Sequence, residues 1–257
     1  MSVSLQFFGV AGYSLKTAGG VHVVIDPFID DNPYCPVKSK DLDKVDLLLL
    51  THNAFDHIGD AAKIIKKHKC KVICALDVLH NLVKYQDVDR DLIRVTIWGF
   101  RMEECGVPVA AVQSVHWSFA VKPDGAFLSG PALGFVVDAG DGVRIYHPGD
   151  TALFSDMKLI GEIYKPTAGL MHISLPMEPG VGLPHPECYK TGEITPKEGL
   201  IASEWLGLKD VVASHYVDAE CGDVREFVRL TDENRKKGLY APRTIVLKPG
   251  ETYTWNR

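Results

Sequence analysis

The sequence predicts an α/β fold built around a mixed β-sheet, and two features of the chain indicate this. Leu47 to Leu50 form an apolar run that cannot alternate between core and water, as expected for a strand covered on both faces. Helix 60–68, strand 71–75 and helix 77–84 then follow in the order that produces a parallel crossover. Strands without intervening helices come later, so antiparallel pairs are expected as well.

The other elements are predicted from short β-rich runs and from helix signals. Val3 to Phe8 and Val21 to Asp26 are expected to form an antiparallel hairpin or meander, because glycines join them. A helix over 196–206 is expected to begin with Thr195 as its N-cap and Pro196 as its first residue. The further predicted strands are 94–98, 107–116, 133–138, 143–147, 168–175, 210–216, 244–247 and 252–255, and the further helices are 152–164 and 223–237.

Composition favours one domain over residues 1–257, because no linker or low-complexity run divides the chain. The net charge of −5 comes without a basic stripe, which argues against a nucleic-acid partner. The N-terminus resembles no signal peptide and no segment is long enough to cross a bilayer, so a cytoplasmic protein without a membrane partner is expected. A homo-oligomer is compatible with this composition.

The chemistry is concentrated in the stretch from Thr51 to Asp60, directly after the leucine run. His52, Asp56 and His57 are nitrogen and oxygen donors within six residues, of the types that Zn²⁺, Mn²⁺ or Fe²⁺ accept. The structural alternative is that Asp56 caps the following helix and that His52 is a hydrogen-bonded core residue. The density of donors favours the metal site.

Further histidines and one aspartate fall at or near predicted strand ends. His116 and His147 close two predicted strands, Asp150 follows the second of these, and His215 lies at the end of a third. His172 is expected inside the strand over 168–175. A single histidine at a strand end is more often structural than a metal ligand, so these residues are candidates rather than assignments.

Residues 176–196 interrupt all periodicity, with several prolines and glycines. A loop of this length inside a compact domain is more often functional than not, so a lid is predicted here. His185, Tyr189 and Lys190 are its candidates for contacts with substrate, and His185 is the preferred leaving-group acid.

The motif Thr51-His52-Asn53-Ala54-Phe55-Asp56-His57-Ile58-Gly59-Asp60 resembles the Thr-His-x-His-x-Asp-His-x-Gly-Asp signature of the metallo-β-lactamase superfamily. Gly149-Asp150-Thr151 and Ser214-His215-Tyr216 resemble two of its later motifs, most of all those of the branch that contains L-ascorbate-6-phosphate lactonase. The resemblance implies an αββα sandwich, two mixed sheets with helices on both outer faces and a metal site at one rim.

The resemblance also implies two metal sites that share one aspartate. The first would be held by Asp56, His57, Asp150 and His215. The second would be held by His52, His116 and Asp150, with Ala54 in place of the histidine that completes the family motif. One tight site and one weakened site are therefore expected, with Zn²⁺ preferred and Mn²⁺ or Fe²⁺ as alternatives. His147, His172 and His185 are the imidazoles that could fill the gap, and Asp26 matches the aspartate that orients the ligand loop.

The activity that the resemblance implies is metal-dependent hydrolysis of an ester, lactone or phosphoester bond in a small molecule. Asp56 or Asp150 would orient the nucleophile or accept its proton, and His185 would serve as the acid. The alternative is a non-catalytic or redox metal-binding protein on the same fold.

Overall fold

A computed structural model describes residues 2–174 and 192–256, which form two seven-stranded sheets. The first sheet contains β1 (Val3–Gly9), β2 (Gly12–Lys16), β3 (His22–Ile25), β4 (Leu47–Leu49), β5 (Lys71–Cys74), β6 (Ile93–Val95) and the C-terminal β14 (Thr252–Trp255). Their spatial order is β14-β1-β2-β3-β4-β5-β6. Pairing is antiparallel from β14 to β3 and parallel from β3 to β6, so the predicted crossover is confirmed.

The second sheet repeats this mixture. It contains β7 (Arg101–Glu104), β8 (Val107–Val121), β9 (Phe127–Gly140), β10 (Val143–His147), β11 (Ala168–His172), β12 (Asp210–Ser214) and β13 (Arg243–Ile245), in the order β13-β12-β11-β10-β9-β8-β7. The strands from β10 to β13 are parallel, and those from β7 to β10 are antiparallel. Both sheets are mixed, as the sequence predicts.

Helices flank the two sheets. They are α1 (Phe55–Ile58), α2 (Ala61–His68), α3 (Leu76–His80) with a π-helical continuation (Asn81–Tyr85), α4 (Met157–Tyr164), α5 (Pro196–Leu206) and α6 (Gly222–Lys236), with short 3₁₀ turns at Ser39–Asp41 and Arg90–Leu92. Thr195 caps α5 as predicted, in a capping box with Glu198. Within the described part of the chain, no helix has the length and apolar character needed to cross a membrane.

The leucine run explains how β4 holds the fold together. All four leucines are fully buried, but they divide between two cores. Leu47 and Leu49 pack with side chains of the second sheet, whereas Leu48 and Leu50 pack with the apolar face of α2. Because successive side chains of a strand point to opposite faces, only a strand covered on both sides accepts such a run. The expected buried strand is confirmed.

The N-terminal runs form the antiparallel meander and not the hairpin, because the additional strand β2 lies between β1 and β3. The boundaries of two other predicted elements are wrong. The helix expected over 152–164 begins only at Met157, since the Ala152 N–H donates to the carbonyl of Val115 and ties this segment to β8. The strand expected over 168–175 ends at His172, so this imidazole lies at a strand end instead of inside the strand.

Candidate metal centre

A buried carboxylate, Asp26, holds the loop between β4 and α1. Its Oδ1 accepts the Thr51 N–H at 2.9 Å, and its Oδ2 accepts the Thr51 hydroxyl at 2.7 Å. The same Oδ2 lies 2.9 Å from His57 Nδ1 and 2.9 Å from His147 Nε2. The expected role of Asp26 as the group that orients the loop agrees with these contacts, and His57 Nε2 is left to face the centre of the site.

Asp150 lies at the centre of the candidate site and faces histidines with both of its oxygens. Its Oδ1 lies 3.1 Å from His57 Nε2, from His215 Nε2 and from His172 Nδ1. Its Oδ2 lies 3.8 Å from His52 Nε2 and 3.9 Å from His116 Nε2. One carboxylate therefore separates two groups of imidazoles, which is the arrangement of a bridging ligand.

A glycine lets Asp150 reach this position. Gly149 has φ +62°, and a Cβ on it would lie 2.8 Å from the Thr51 Cβ and 2.9 Å from the Leu133 carbonyl oxygen. Both contacts are closer than side-chain carbons tolerate, so the loop after β10 passes the ligand loop only because residue 149 has no side chain. Glycine at this position thus brings the two motifs together.

The first donor group consists of four residues whose ligand atoms all lie within 4.8 Å of one another: Asp56, His57, Asp150 and His215. The Asp56 Oδ2 atom lies 3.8 Å from His57 Nε2 and 3.9 Å from His215 Nε2. His215 follows β12 in the left-handed conformation, with φ 69°, which is uncommon for a residue other than glycine and is often found at functional sites. These are the four residues that the resemblance assigns to the tight site.

The second group contains three donors under the same criterion: His52, His116 and Asp150. His116 does not close its strand as predicted, because β8 continues to Val121. Gln113 pairs with Leu133 and Trp117 pairs with Pro131, so the register shifts at this point. Such bulges redirect side chains, and this one explains how a residue inside a long strand faces the site.

Unpartnered buried atoms indicate that the centre is built for a cation. Among the described residues, the Nε2 atoms of His52, His57 and His215 and the Oδ1 atom of Asp150 are buried without a hydrogen-bond partner. Leaving several such atoms unsatisfied is costly, and native proteins rarely do so without a reason. A divalent ion would satisfy them together, and imidazole with carboxylate is a donor set that suits zinc, manganese or iron.

The charges of the site follow from its burial. Burial disfavours the charged imidazolium, but the carboxylates of Asp150 and Asp56 raise the pKa of His57, and Asp150 with Glu193 raises the pKa of His215. His52 has its pKa lowered by burial and by the neighbouring His57. Burial would raise the pKa of Asp150, yet His215 and His57 hold it well below its usual value, so this carboxylate stays ionised.

The unassigned histidines have distinct positions. The Nε2–H of His147 donates to Asp26 Oδ2 behind the site, so His147 does not replace the donor missing at Ala54. His172 lies against Asp150 Oδ1 on the side of the first group, and burial with the nearby His215 lowers its pKa to about 3. It does not fill the gap either. His185, Tyr189, Lys190 and the predicted lid lie outside the described residues.

The structural alternative for Asp56 is wrong. Ala54 occupies the N-cap of α1 and Asp60 that of α2, and neither cap has a side-chain hydrogen bond. Asp56 lies inside α1, and its side chain is 14% exposed beside the candidate ligands. Its carboxylate is therefore available to the site instead of to a helix terminus.

The sequence did not reveal two contacts of His215, and it did not reveal that His172 lies beside the candidate ligands. The Nδ1 atom of His215 lies 2.9 Å from the Ser174 carbonyl oxygen and 3.2 Å from Glu193 Oε2. No local pattern marks Glu193, because it meets His215 only through tertiary structure. His172 could have been found, since it ends the parallel strand between β10 and β12, whose own ends carry Asp150 and His215.

Two cavities flank the site, with Phe55 between them. The larger has a volume of about 460 Å³ and is lined by His52, Asn53, Ala54, Phe55, Ile58, Asn81, Gln86, His116, Trp117, Phe119, Ala120, Val121 and Lys122. The smaller has about 240 Å³, is mostly apolar and is lined by Val10, Phe28, Asn32, Pro33, Tyr34, Phe55, Asp56 and Val217. Each cavity contains candidate ligands in its wall, so a small molecule in either would contact the centre.

Comparisons with known proteins agree with this architecture. Residues 22–216 match the family described as the beta-lactamase superfamily domain. The structure of a metallo hydrolase from Ignicoccus hospitalis is similar with a TM-score of 0.75 and 25% identity, covering 100% of both chains. The two-sheet fold with its donor set at one rim is thus the metallo-β-lactamase fold.

Relatives with similar sequences identify a narrower family within this superfamily. A UPF0173 metal-dependent hydrolase of Saccharolobus solfataricus is 33% identical over 97% of this chain and 98% of its own length. One of Koribacter versatilis is 30% identical over 98% of both chains. The chain belongs to the beta-lactamase superfamily and, within it, to the UPF0173 metal-dependent hydrolases. The superfamily predicted from the motifs is confirmed.

Proposed function

We propose that this protein is a metal-dependent hydrolase that cleaves an ester, lactone or phosphoester bond of a small molecule. The observation that carries the proposal is the convergence of His57 Nε2 and His215 Nε2 on Asp150 Oδ1 at 3.1 Å, in a buried site where these atoms lack hydrogen-bond partners among the described residues. The relatives named as metal-dependent hydrolases support the same class.

Asp56, His57, Asp150 and His215 would hold the tight ion, preferably Zn²⁺, with Mn²⁺ or Fe²⁺ as alternatives. His52, His116 and Asp150 would hold a weaker second ion. A bound divalent ion supplies Lewis-acid chemistry, since it makes water acidic near neutral pH and polarises the bond to be attacked.

The other chemical roles belong to side chains of the protein. Asp56 is the candidate ligand whose carboxylate also lines a cavity, so it can orient a water molecule and accept its proton. Asp150 stays ionised and belongs to both donor groups. Asp26 fixes the ring of His57 through Nδ1, which leaves Nε2 free to coordinate. His185 stays the predicted acid of the leaving group.

The experiment is a hydrolysis assay of metal-reconstituted protein against a panel of lactones, carboxylic esters and phosphodiesters. We expect turnover of one class that a chelator removes and added metal restores. His57→Ala and His215→Ala should abolish it, whereas the exposed His80→Ala should not. Metal bound at the site without turnover of any class would contradict the hydrolase and favour the non-catalytic alternative.

The finer predictions belong to this proposal. They are the lactonase-containing branch, a small-molecule substrate, a cytoplasmic location and the single domain over residues 1–257. Activity on a lactone phosphate in the panel would support the branch, and preference for a phosphodiester would count against it.

A further inference from the structure

The larger cavity has a lysine in its wall as well as candidate metal ligands. Lys122 lines this cavity together with His52 and His116. Its Nζ donates to Asn81 Oδ1 at 2.6 Å and lies 5.2 Å from the centre of the Tyr85 ring. An ammonium group has three donors, so donors remain for a ligand in the cavity.

Lys122 lacks a close counter-ion in the described part of the chain. None of the carboxylates described there lies within 4 Å of its Nζ, and the nearby Asp124 instead accepts from the Tyr85 hydroxyl and pairs with Lys84 at 3.8 Å. Partial burial lowers the pKa of Lys122, and the carboxylate of Asp124 acts in the opposite direction without contacting the ammonium. An anion placed beside the ammonium would offset the cost of its partial burial.

A chain of buried amides connects Lys122 to the ligand loop. Asn81 Nδ2 donates to Asn53 Oδ1 at 2.8 Å, and Asn53 Nδ2 donates to Asp77 Oδ2 at 2.8 Å. Asn53 directly follows His52 in the chain. These hydrogen bonds hold the ammonium in place relative to the candidate ligands. A site that binds two parts of one molecule requires such a fixed arrangement.

Aromatic side chains form another part of the cavity wall. Trp117 and Phe119 line the cavity, and their rings stack with centroids 5.7 Å apart. Trp117 is 69% exposed, which is unusual for so large an apolar surface unless it meets a ligand or a partner. Flat apolar groups of a ligand would find a contact surface here.

We infer that the larger cavity binds a substrate with an acidic group, a carboxylate or a phosphate monoester, which pairs with Lys122 while the scissile bond lies at the candidate metal ligands. This inference rests on the proposed function and specifies its substrate class. The apolar part of the substrate contacts Trp117 and Phe119. A neutral substrate of the same shape leaves the ammonium without its partner and binds more weakly.

The test measures binding by calorimetry with metal-loaded protein and three probes that share a benzyl group: phenylacetate, benzylphosphonate and the neutral phenylacetamide. We expect at least one acid to bind about tenfold or more tightly than the amide, as a charge-assisted hydrogen bond predicts. Preference for phenylacetate identifies a carboxylate site, and preference for benzylphosphonate identifies a phosphate site.

Variants separate Lys122 from the metal as the source of this preference. Lys122→Met and Lys122→Gln should each remove it, the second while keeping a donor toward Asn81. Lys84→Met is the matched control, because Lys84 lies over the same Tyr85 ring at 4.7 Å but does not line the cavity. Equal binding of acids and amide by the parent, or a preference that survives both Lys122 substitutions, would overturn the inference. Binding requires no turnover, so failure of the hydrolase proposal would show separately in the substrate panel.

Discussion

Asp26 Oδ2 lies 2.9 Å from His57 Nδ1, and both side chains are completely buried. Burial alone would raise the pKa of this carboxyl, but the imidazoles of His57 and His147 hold it well below its usual value. The aspartate is therefore ionised and fixes the ring and tautomer of a candidate ligand from behind. The precision of the site depends on this residue although it coordinates nothing itself.

Replacing this carboxylate should weaken metal binding without removing any ligand. Asp26→Asn keeps the shape of the side chain but loses its charge, and we expect metal affinity to fall by about 10- to 100-fold, as for other supporting residues of metal sites. Competition with a chromogenic chelator measures this. Asp210→Asn, which removes the ionic partner of Arg243, should leave the affinity unchanged. Equal affinities of parent and Asp26→Asn would show that Asp26 does not support the metal site.

Gly130 makes room for the carboxylate that holds Asn53. A Cβ on this residue would lie 2.3 Å from Asp77 Oδ1. Gly130→Ala must displace Asp77, so we expect a loss of about 1–3 kcal/mol in the free energy of unfolding, as for other overpacked sites. Chemical denaturation measures it. Gly19→Ala is the control, because its new methyl group would meet only Thr17 Oγ1, at 3.8 Å. A similar effect at both glycines would contradict the close contact.

His22 should make the stability of the fold depend on pH away from the metal site. Its ring lies 2.8 Å from Ser14 Oγ and 3.0 Å from the Lys44 carbonyl oxygen, and burial lowers its pKa. The unfolded chain, with a histidine pKa of about 6.5, then binds more protons than the folded chain below that pH. Stability contributed by neutral His22 is present above about pH 6.5 and is lost as pH falls toward the lowered folded pKa.

The measurement is the melting temperature of metal-free protein between pH 7.5 and pH 5.5. His22→Gln should melt lower at the upper pH but lose less on acidification than the parent. His80→Gln, at an exposed position, should follow the parent curve. Parallel curves for the parent and His22→Gln would show that this imidazole does not titrate on unfolding.

Strong local patterns made the centre of the fold predictable. The leucine run could only be a strand covered on both faces, and the capping signals at Thr195 and Pro196 located the start of α5. The donors from His52 to His57 follow that strand within a few residues, so their proximity needed no tertiary information. The structure brings them together as the spacing suggests.

Features that depend on distant parts of the chain were out of reach. The bulge that turns His116 inward exists because β8 and β9 pair on both sides of it. No residue type in this segment indicates the shift in register. Glu193 contacts His215 although the two residues are well separated in the sequence, and Glu193 lies in none of the recognised motifs. The strand at Gly12–Lys16 was missed because its flanking glycines resemble a plain turn.

Ala54 is the position where the chain departs from its family motif, and it lines the larger cavity beside His52 and His116. Ala54→His would supply a fourth donor to the second group, so we expect tighter binding of a second ion by about tenfold or more. Calorimetric titration compares the variant with the parent. An unchanged second-site affinity would mean that this corner of the cavity serves substrate instead of metal.

Titration of the metal-free parent protein with Zn²⁺, followed by calorimetry and by elemental analysis per chain, tests the two metal sites directly. The donor groups predict one tightly held ion at Asp56, His57, Asp150 and His215, and a second ion that binds weakly at His52, His116 and Asp150. His215→Ala should remove the tight phase, whereas His80→Ala should retain it. Absence of binding, or two ions bound with matched tight affinity, would contradict the assignment of one tight and one weak site.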